Sequence, residues 1–398
     1  MDDRTRAYVK GRFGDYYRGS VTPPDFGDNG GVVEPRASDD REWAFIVFDG
    51  GMVRHKSLLD LGSLETWLSD TKPQHVYYSS ARYGRPEAAA MSDKGWKGAD
   101  LIFDLDADHL RDAEPDDTYA EMLAKCKDAL LNLLTFIDED LGFEDTLVVF
   151  SGGRGYHIHV YDDRVRGLGS DARREIVDYV KGTGFRAELA FSNETIAGSE
   201  RDEWTHGRKS SAELRRLKGG AWSDRIRDYV LEYADETAAM EDKEAAERLR
   251  GFENVGEKTA RTLLTVFCDR RAELASGNLD VARGTRGFWE TLLERAVEET
   301  SAETDEPVTT DTRRLIRLPG SLHGGTGLRV APLERDELEE FEPLRDAVVF
   351  STREQTVVAD EPTSFEVGGR RFNIEADEVT VPEYAAVFGM LRGDVRLG

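Results

Sequence analysis

Apolar and polar positions alternate along this chain with a period that changes several times, and each change marks an element. Residues 4–18 place aromatic and aliphatic side chains at helical spacing, which predicts an amphipathic helix. A loop rich in Gly, Pro and Asp follows over 19–40. Trp43–Phe48 and Met52–His55 read as the two strands of a hairpin, turned at Asp49-Gly50-Gly51 because Asp-Gly tolerates the positive φ a tight turn needs. Leu101-Ile102-Phe103 predicts a short buried strand that runs directly into Asp104 and Asp106. Thr118 and Glu121 form a capping box that opens a helix through about Phe136. The apolar face of that helix holds Tyr119, Met122, Leu123, Cys126, Leu130 and Leu133, so Cys126 reads as core. Leu147–Phe150 and Tyr156–Tyr161 predict two further strands, joined by a Gly-rich turn.

From about 170 to 300 the pattern becomes helical and densely charged, as in Tyr233–Arg250. Strands resume near Leu315–Leu318 and Leu328–Pro332, and a hairpin around Gly368-Gly369 and a helix near Pro382–Leu391 close the chain. The succession predicts an α/β fold with a mixed or antiparallel sheet flanked by helices. Three segments follow: a core over 1–165, a charged helical insertion over 166–300, and a return to the core over 301–398. Within the insertion, Leu249–Leu264 resembles a helix-hairpin-helix whose turn would offer Gly256, Lys258 and Thr259 to a DNA phosphate. An ordinary helix–turn–helix corner accounts for the same residues.

The length of 398 residues is ample for a sizeable core. No stretch approaches the roughly 20 apolar residues of a membrane span, and the start Met1-Asp2-Asp3-Arg4 has no apolar signal region, so a cytoplasmic protein is expected. Two cysteines, Cys126 and Cys268, exclude a disulfide framework and a Cys-rich zinc site. With 79 acidic against 53 basic residues the formal net charge is −26, the wrong sign for a simple nucleic-acid footprint. Arginine far exceeds lysine, however, and such acid enrichment resembles proteins of salt-loving cells. On that reading only the local sign around a site reports on its ligand.

Three segments carry candidate chemistry. In Phe103-Asp-Leu-Asp106 the strand period of two puts Asp104 and Asp106 on one face. Two carboxylates so placed repel unless a cation lies between them, and hard divalent ions take oxygen ligands. In Ser151-Gly-Gly-Arg154-Gly-Tyr-His157-Ile-His159 the turn can bring backbone N–H groups close to phosphate, with Arg154 as a bidentate donor. His157 and His159 share one strand face, next to that turn. The third segment, Asp305 through Ser321-Leu-His323, is dense in charge, hydroxyl and Gly. There Asp305 or Asp311 could complete a carboxylate set for two metal ions, and Arg317 and His323 could contact a triphosphate. Carboxylates for metal beside a basic turn for phosphate suggest phosphoryl or nucleotidyl transfer.

Taken together these segments resemble the catalytic small subunit of the archaeal and eukaryotic-type DNA primase. The order and approximate spacing of Phe-Asp-Leu-Asp (103–106), Ser-Gly-Gly-Arg-Gly-Tyr-His (151–157) and Asp305 through His323 carry the resemblance. The N-terminal Tyr16-Tyr17 helix, Arg41-Glu42 and Tyr78-Ser-Ser-Ala-Arg82 extend it over nearly the full length. It implies a primase-type catalytic core and metal ligation by Asp104, Asp106 and Asp305, the last preferred to Asp311 by its interval from His323. It further implies nucleotide contacts from Ser151, Arg154 and His157, from Arg317 and His323, and from Arg41. Mg²⁺ or Mn²⁺ is the implied cofactor. Nucleoside triphosphates, a single-stranded DNA template and a large primase subunit forming a heterodimer are the implied partners, with no membrane.

Many members of that family carry a zinc knuckle after the Asp pair. Here that stretch offers only His109 and the distant Cys126, so no structural zinc is expected. The acid-rich composition points to a halophilic archaeon. The rival readings are a repair-type primase-polymerase that extends existing ends, and a non-catalytic single-strand-binding subunit. The carboxylate set argues against the latter, since acidic groups without metal would weaken phosphate binding.

Overall fold

The computed structural model describes all residues except 28–29, 187–190, 197–211, 218–219, 254, 280 and 283. The chain divides into two compact units. Met1–Val177 and Glu303–Gly398 form the first, and Asp178–Ala302 the second.

Two four-stranded antiparallel sheets carry the first unit. One is ordered Pro332–Leu333, Thr146–Phe150, Gly155–Val160, Leu101–Asp106; the other Leu315–Arg317, His75–Ser79, Trp43–Ile46, Met52–Lys56. Of the two sheet types expected, the antiparallel one is found. In the first sheet the strand period separates two chemistries. Leu101, Phe103 and Leu105, with their partners Val160, Ile158 and Tyr156, are all buried, and the strands pack on the helix Tyr119–Thr135. Its capping box between Thr118 and Glu121 is formed, and buried Cys126 lies 3.8 Å from the Leu105 carbonyl, a core residue as its spacing predicts. Burial of each large side chain here contributes about 1.5–3 kcal/mol.

Ile102, Asp104 and Asp106 occupy the other face with the cross-strand partners of the first two, His159 and His157. His159 is fully enclosed there, its ring stacked on Tyr78 at 6.4 Å and its Nδ1 3.3 Å from the tyrosine oxygen. Tyr78 belongs to the second sheet, so this contact lies between the sheets.

The closing hairpin, Thr363–Val367 with Arg370–Ile374, turns at Gly368 and Gly369, whose φ values of 65° and 67° are those a two-residue primed turn demands. The final helix spans Glu383–Arg392. No helix among the described residues is long and apolar enough to cross a membrane.

The second unit is built on helices, chiefly Ala221–Ala239, Asp242–Arg250, Glu257–Asp269 and Arg286–Thr300, around buried Leu249, Leu263, Leu292 and Phe288. It also holds an antiparallel strand pair, Phe191–Ile196 with Ala212–Leu217, which the charged pattern of this region did not announce. At the helix corner near 251–256, Phe252 and Val255 are committed to the unit's core, while Gly256 and Lys258 are exposed and Thr259 is half-buried. The expected start of the insertion at 166 falls inside the first unit. Arg173 explains why: its buried guanidinium donates to the carbonyls of Ala99 and Asp100, at 2.7 and 3.1 Å, which ties its helix to the strand region ahead of Asp104.

Candidate active site

Asp104 and Asp106 sit at the end of their strand, with side chains 18% and 34% exposed. Partial burial, with the neighbouring charge of Asp106, pushes the Asp104 carboxyl up to about 6. Asp305 is drawn to them by packing rather than by sequence. Ile102, on the same strand face, forms an apolar cluster with Val308 and Ile316. The Asp305 N–H then donates to the Asp104 carbonyl at 2.7 Å. The Asp305 carboxyl is raised by burial and by the charge of Asp104. Asp311 goes elsewhere. Its carboxylate accepts the N–H of Arg313 at 2.8 Å, and its charge is felt by Tyr83 and Arg173.

The Gly-rich turn is fixed from three sides. Ser151 Oγ accepts the N–H groups of Gly153 and Gly155 at 3.3 and 3.2 Å. Tyr119 donates its hydroxyl to the Gly153 carbonyl at 2.6 Å. A Cβ at Gly155 would lie 1.8 Å from the Leu105 carbonyl oxygen, and one at Gly152, whose φ is +73°, would lie 2.6 Å from the His323 Cβ. These glycines therefore serve close approach of protein to protein, in addition to any approach of phosphate. Arg154 projects from the turn, half exposed, against the carboxylates of Asp106 and Asp108.

His157 is buried beneath the carboxylates with Nε2 3.4 Å from an Asp104 oxygen. Burial, with Arg317 and Arg314 nearby, pushes its pKa down to about 3, so the imidazole is neutral. His323 is likewise held well below the usual histidine range by burial and by Arg317. Its Nδ1 lies 3.1 Å from Thr326 Oγ1 and accepts the Gly325 N–H at 3.3 Å. His75 packs edge-on against it at 5.1 Å and takes the Gly324 N–H on its own Nδ1. Arg317 lies over the Tyr77 ring at 5.9 Å, its Nε without a hydrogen-bond partner among the described residues.

One cavity of about 240 Å³ is bounded by Asp104, Asp106, Ser151, Arg154, His157, Arg317 and His323. Three segments far apart in sequence thus face one space that holds both carboxylates and guanidinium groups, an arrangement suited to a polyphosphate with a bound cation. Residues 103–335 match the family of the DNA primase small subunit. The chain belongs to the DNA primase small subunit family. Among its relatives, the DNA primase small subunit PriS of Haloarcula marismortui is 47% identical over 407 residues, covering 100% of both chains. The protein of the same name from Natronomonas pharaonis is 47% identical, covering 99% of this chain and 98% of its own. That of Methanothrix thermoacetophila is 40% identical over 100% of both. The haloarchaeal relatives support reading the acidic composition as adaptation to salt.

The region matched to the family contains every cavity residue except Arg392. Arg392, Tyr119 and Thr326 are cavity residues that sequence reasoning missed. Tyr119 falls among a helix's apolar positions in the sequence, and the final helix carries no motif. Arg41, expected among the nucleotide contacts, lies apart from these residues. It is fully enclosed and paired with Asp100, and it donates to the carbonyls of Arg36, Ser79 and Ser80 at 2.7, 2.7 and 2.9 Å. Its donors are thus engaged within the protein, and it does not border the cavity. His159 is scaffold, one residue pair behind His157.

The donor set fits a hard divalent cation. Asp104 and Asp305 both have carboxyls raised by burial and by a neighbouring carboxylate, the repulsion a dication relieves. Among the described residues no three His, Cys, Asp or Glu side chains already converge into a closed cage. Mg²⁺ does not require one, since it commonly binds through one or two carboxylates and completes its shell with water and substrate phosphate.

Proposed function

We propose that this chain is the catalytic subunit of a primase, joining nucleotides on a single-stranded DNA template during replication and able to begin without an existing end. The observation that supports this most is the single cavity shared by Asp104, Asp106, Arg154, Arg317 and His323 in a member of this family. Asp104, Asp106 and Asp305 would hold Mg²⁺ or Mn²⁺, which when bound lowers the pKa of the attacking hydroxyl and neutralises charge on the triphosphate and departing pyrophosphate.

The chain's own residues do the rest. Arg154 exchanges its carboxylate partners for phosphate oxygens, and Arg317 presents a second fork. His323, kept uncharged by burial and by Arg317, stands beside them as a contact to the triphosphate. Ser151 keeps the turn in the shape that aims Arg154. His157, neutral and buried, supports the Asp104 carboxylate from below. A large primase subunit is the proposed partner, and nucleoside triphosphates are the substrates.

The test is synthesis of labelled product on unprimed single-stranded DNA, with and without divalent metal. Metal-dependent product without a primer supports the reading. Extension that occurs only from a supplied end would replace it with a gap-filling polymerase.

A further inference from the structure

Arg392 ends the final helix, Glu383–Arg392, and borders the same cavity as Arg154 and Arg317, from outside the stretch that matches the family. Its side chain is not loose. The guanidinium lies over the Tyr119 ring at 4.9 Å and the Phe388 ring at 5.3 Å, and its Nε donates to Asp394 at 3.2 Å. Among the described residues its two terminal nitrogens make no hydrogen bond. An arginine held flat on aromatic faces, with the free end of its fork toward a polar cavity, is a preorganised anion donor.

The platform beneath it is tied to the rest of the site. Tyr119 donates its hydroxyl to the Gly153 carbonyl at 2.6 Å, one residue from Arg154. The helix itself is seated on the loop that carries His323, since a Cβ at Gly327 would meet Val387 and Leu391 at 3.1 Å. The C-terminal helix, the Arg154 turn and the His323 loop therefore form one connected wall.

We propose that Arg392 is a third arginine of the nucleotide site, gripping the polyphosphate of the incoming nucleoside triphosphate, with Tyr119 as the residue that positions it against the Arg154 turn. This rests on the reading of the cavity as a nucleotide site. The charge balance supports it. A triphosphate carries several negative charges, and Arg154 already shares its guanidinium between two carboxylates, Asp106 through Nε and Asp108 through one terminal nitrogen. Arg392 has a single carboxylate partner, bound through Nε, so its terminal nitrogens can take phosphate without breaking that contact.

The experiment measures affinity of the full-length protein for a fluorescent ATP analogue at fixed salt, with inorganic triphosphate as competitor. Arg392→Gln, which removes the charge and the fork but keeps part of the stem, should weaken both ligands by the same factor, about tenfold or more. Arg392→Lys should recover part of the loss, because it retains charge but not the fork. Thermal unfolding should be unchanged. Tyr119→Phe keeps the ring and loses the bond to Gly153, and should give a smaller loss than Arg392→Gln.

If Arg154→Ala weakens nucleotide binding while Arg392→Gln does not, the proposal is wrong and the nucleotide reading of the cavity survives. If Arg154→Ala, Arg317→Ala and Arg392→Gln all bind nucleotide normally, the cavity is not the nucleotide site and both fall. Loss of ATP-analogue binding with inorganic triphosphate unaffected would move Arg392 to the base or sugar and overturn the phosphate assignment. Loss of single-stranded DNA affinity alone would move it to the template path and overturn that assignment equally.

Discussion

The carbonyl oxygen of Asp104 accepts two hydrogen bonds from one distant segment, the Asp305 N–H at 2.7 Å and the Thr304 hydroxyl at 3.1 Å, across 200 residues of chain. That shared acceptor sets the third carboxylate beside the strand pair before any ligand arrives. A helix, Glu306–Thr310, starts directly after Asp305 and packs on the same strand. The backbone of residue 305 is thus held from both sides, and its side chain is left for chemistry.

From this follows a sharp contrast between two aspartates six residues apart. Asp305→Asn should lower nucleotide incorporation by at least about a hundredfold, the scale of losing a group that stabilises transition-state charge. Asp311→Asn should leave activity within a few-fold of the parent, because its carboxylate serves a local turn at Arg313. Parallel activity and unfolding measurements decide the matter. The reverse ranking would reassign the third ligand.

Metal should be visible without catalysis. Starting from chelator-treated protein, adding Mg²⁺ or Mn²⁺ should raise the unfolding midpoint by mass action, since the folded state holds the carboxylates together and the unfolded chain does not. Asp104→Asn should abolish most of that rise. A variant that keeps the full metal-induced shift would place the cation elsewhere.

Arg41 should behave as a structural residue. Its charge is buried against Asp100 beneath carbonyls of Ser79 and Ser80. Removing one partner of a buried pair typically costs about 3–5 kcal/mol. Arg41→Ala should therefore lower stability strongly, and any folded fraction should bind nucleotide with normal affinity. A stable variant with weakened nucleotide binding would return Arg41 to the site.

Half-buried His75 and buried His159 set an acid limit. Burial, chiefly, pushes His75 down to about 4 and His159 down to about 3, from ordinary values near 6.5. In the unfolded chain each would take a proton at about 6.5, so between that pH and the folded value the unfolded state binds more protons. Stability from these groups is complete above about 6.5 and is lost as pH falls toward 4. For His75 the loss has an upper limit of about 3 kcal/mol. Unfolding free energies at pH 7.5 and 4.5 in constant salt should show a smaller difference for His75→Gln than for the parent. Equal differences would show that His75 is not a source of the acid sensitivity.

Salt should stabilise rather than weaken. With a net charge of −26, repulsion among surface carboxylates is long-ranged in dilute buffer, where the Debye length is about 10 Å at 0.1 M, and is cut to about 3 Å at 1 M. The unfolding midpoint should climb across that range, and primer synthesis should persist at molar salt. Stability and activity that both peak in dilute buffer would refute salt adaptation and leave a basic partner subunit as the better cause of the acidity.

Local pattern alone determined a good deal of this protein. Strand and helix periods near Trp43, Leu101, Thr118, Thr146 and Glu383 are properties of neighbouring residues, and the elements formed close to where those periods lie. The facing of Asp104 and Asp106 follows from the strand period of two. What the periods do not contain is which element packs on which. The placement of Asp305 beside Asp104 rests on Ile102 meeting Val308 and Ile316, a contact between segments far apart in the chain. The burial of Arg41 and His159, the strand pair at Phe191–Ile196, and the convergence of Tyr119 and Arg392 on the cavity depend likewise on long-range packing. A charged or aromatic side chain looks the same in sequence whether it is walled in or faces a ligand. Only its surroundings in three dimensions, through burial and through the partners its polar atoms find, separate the two.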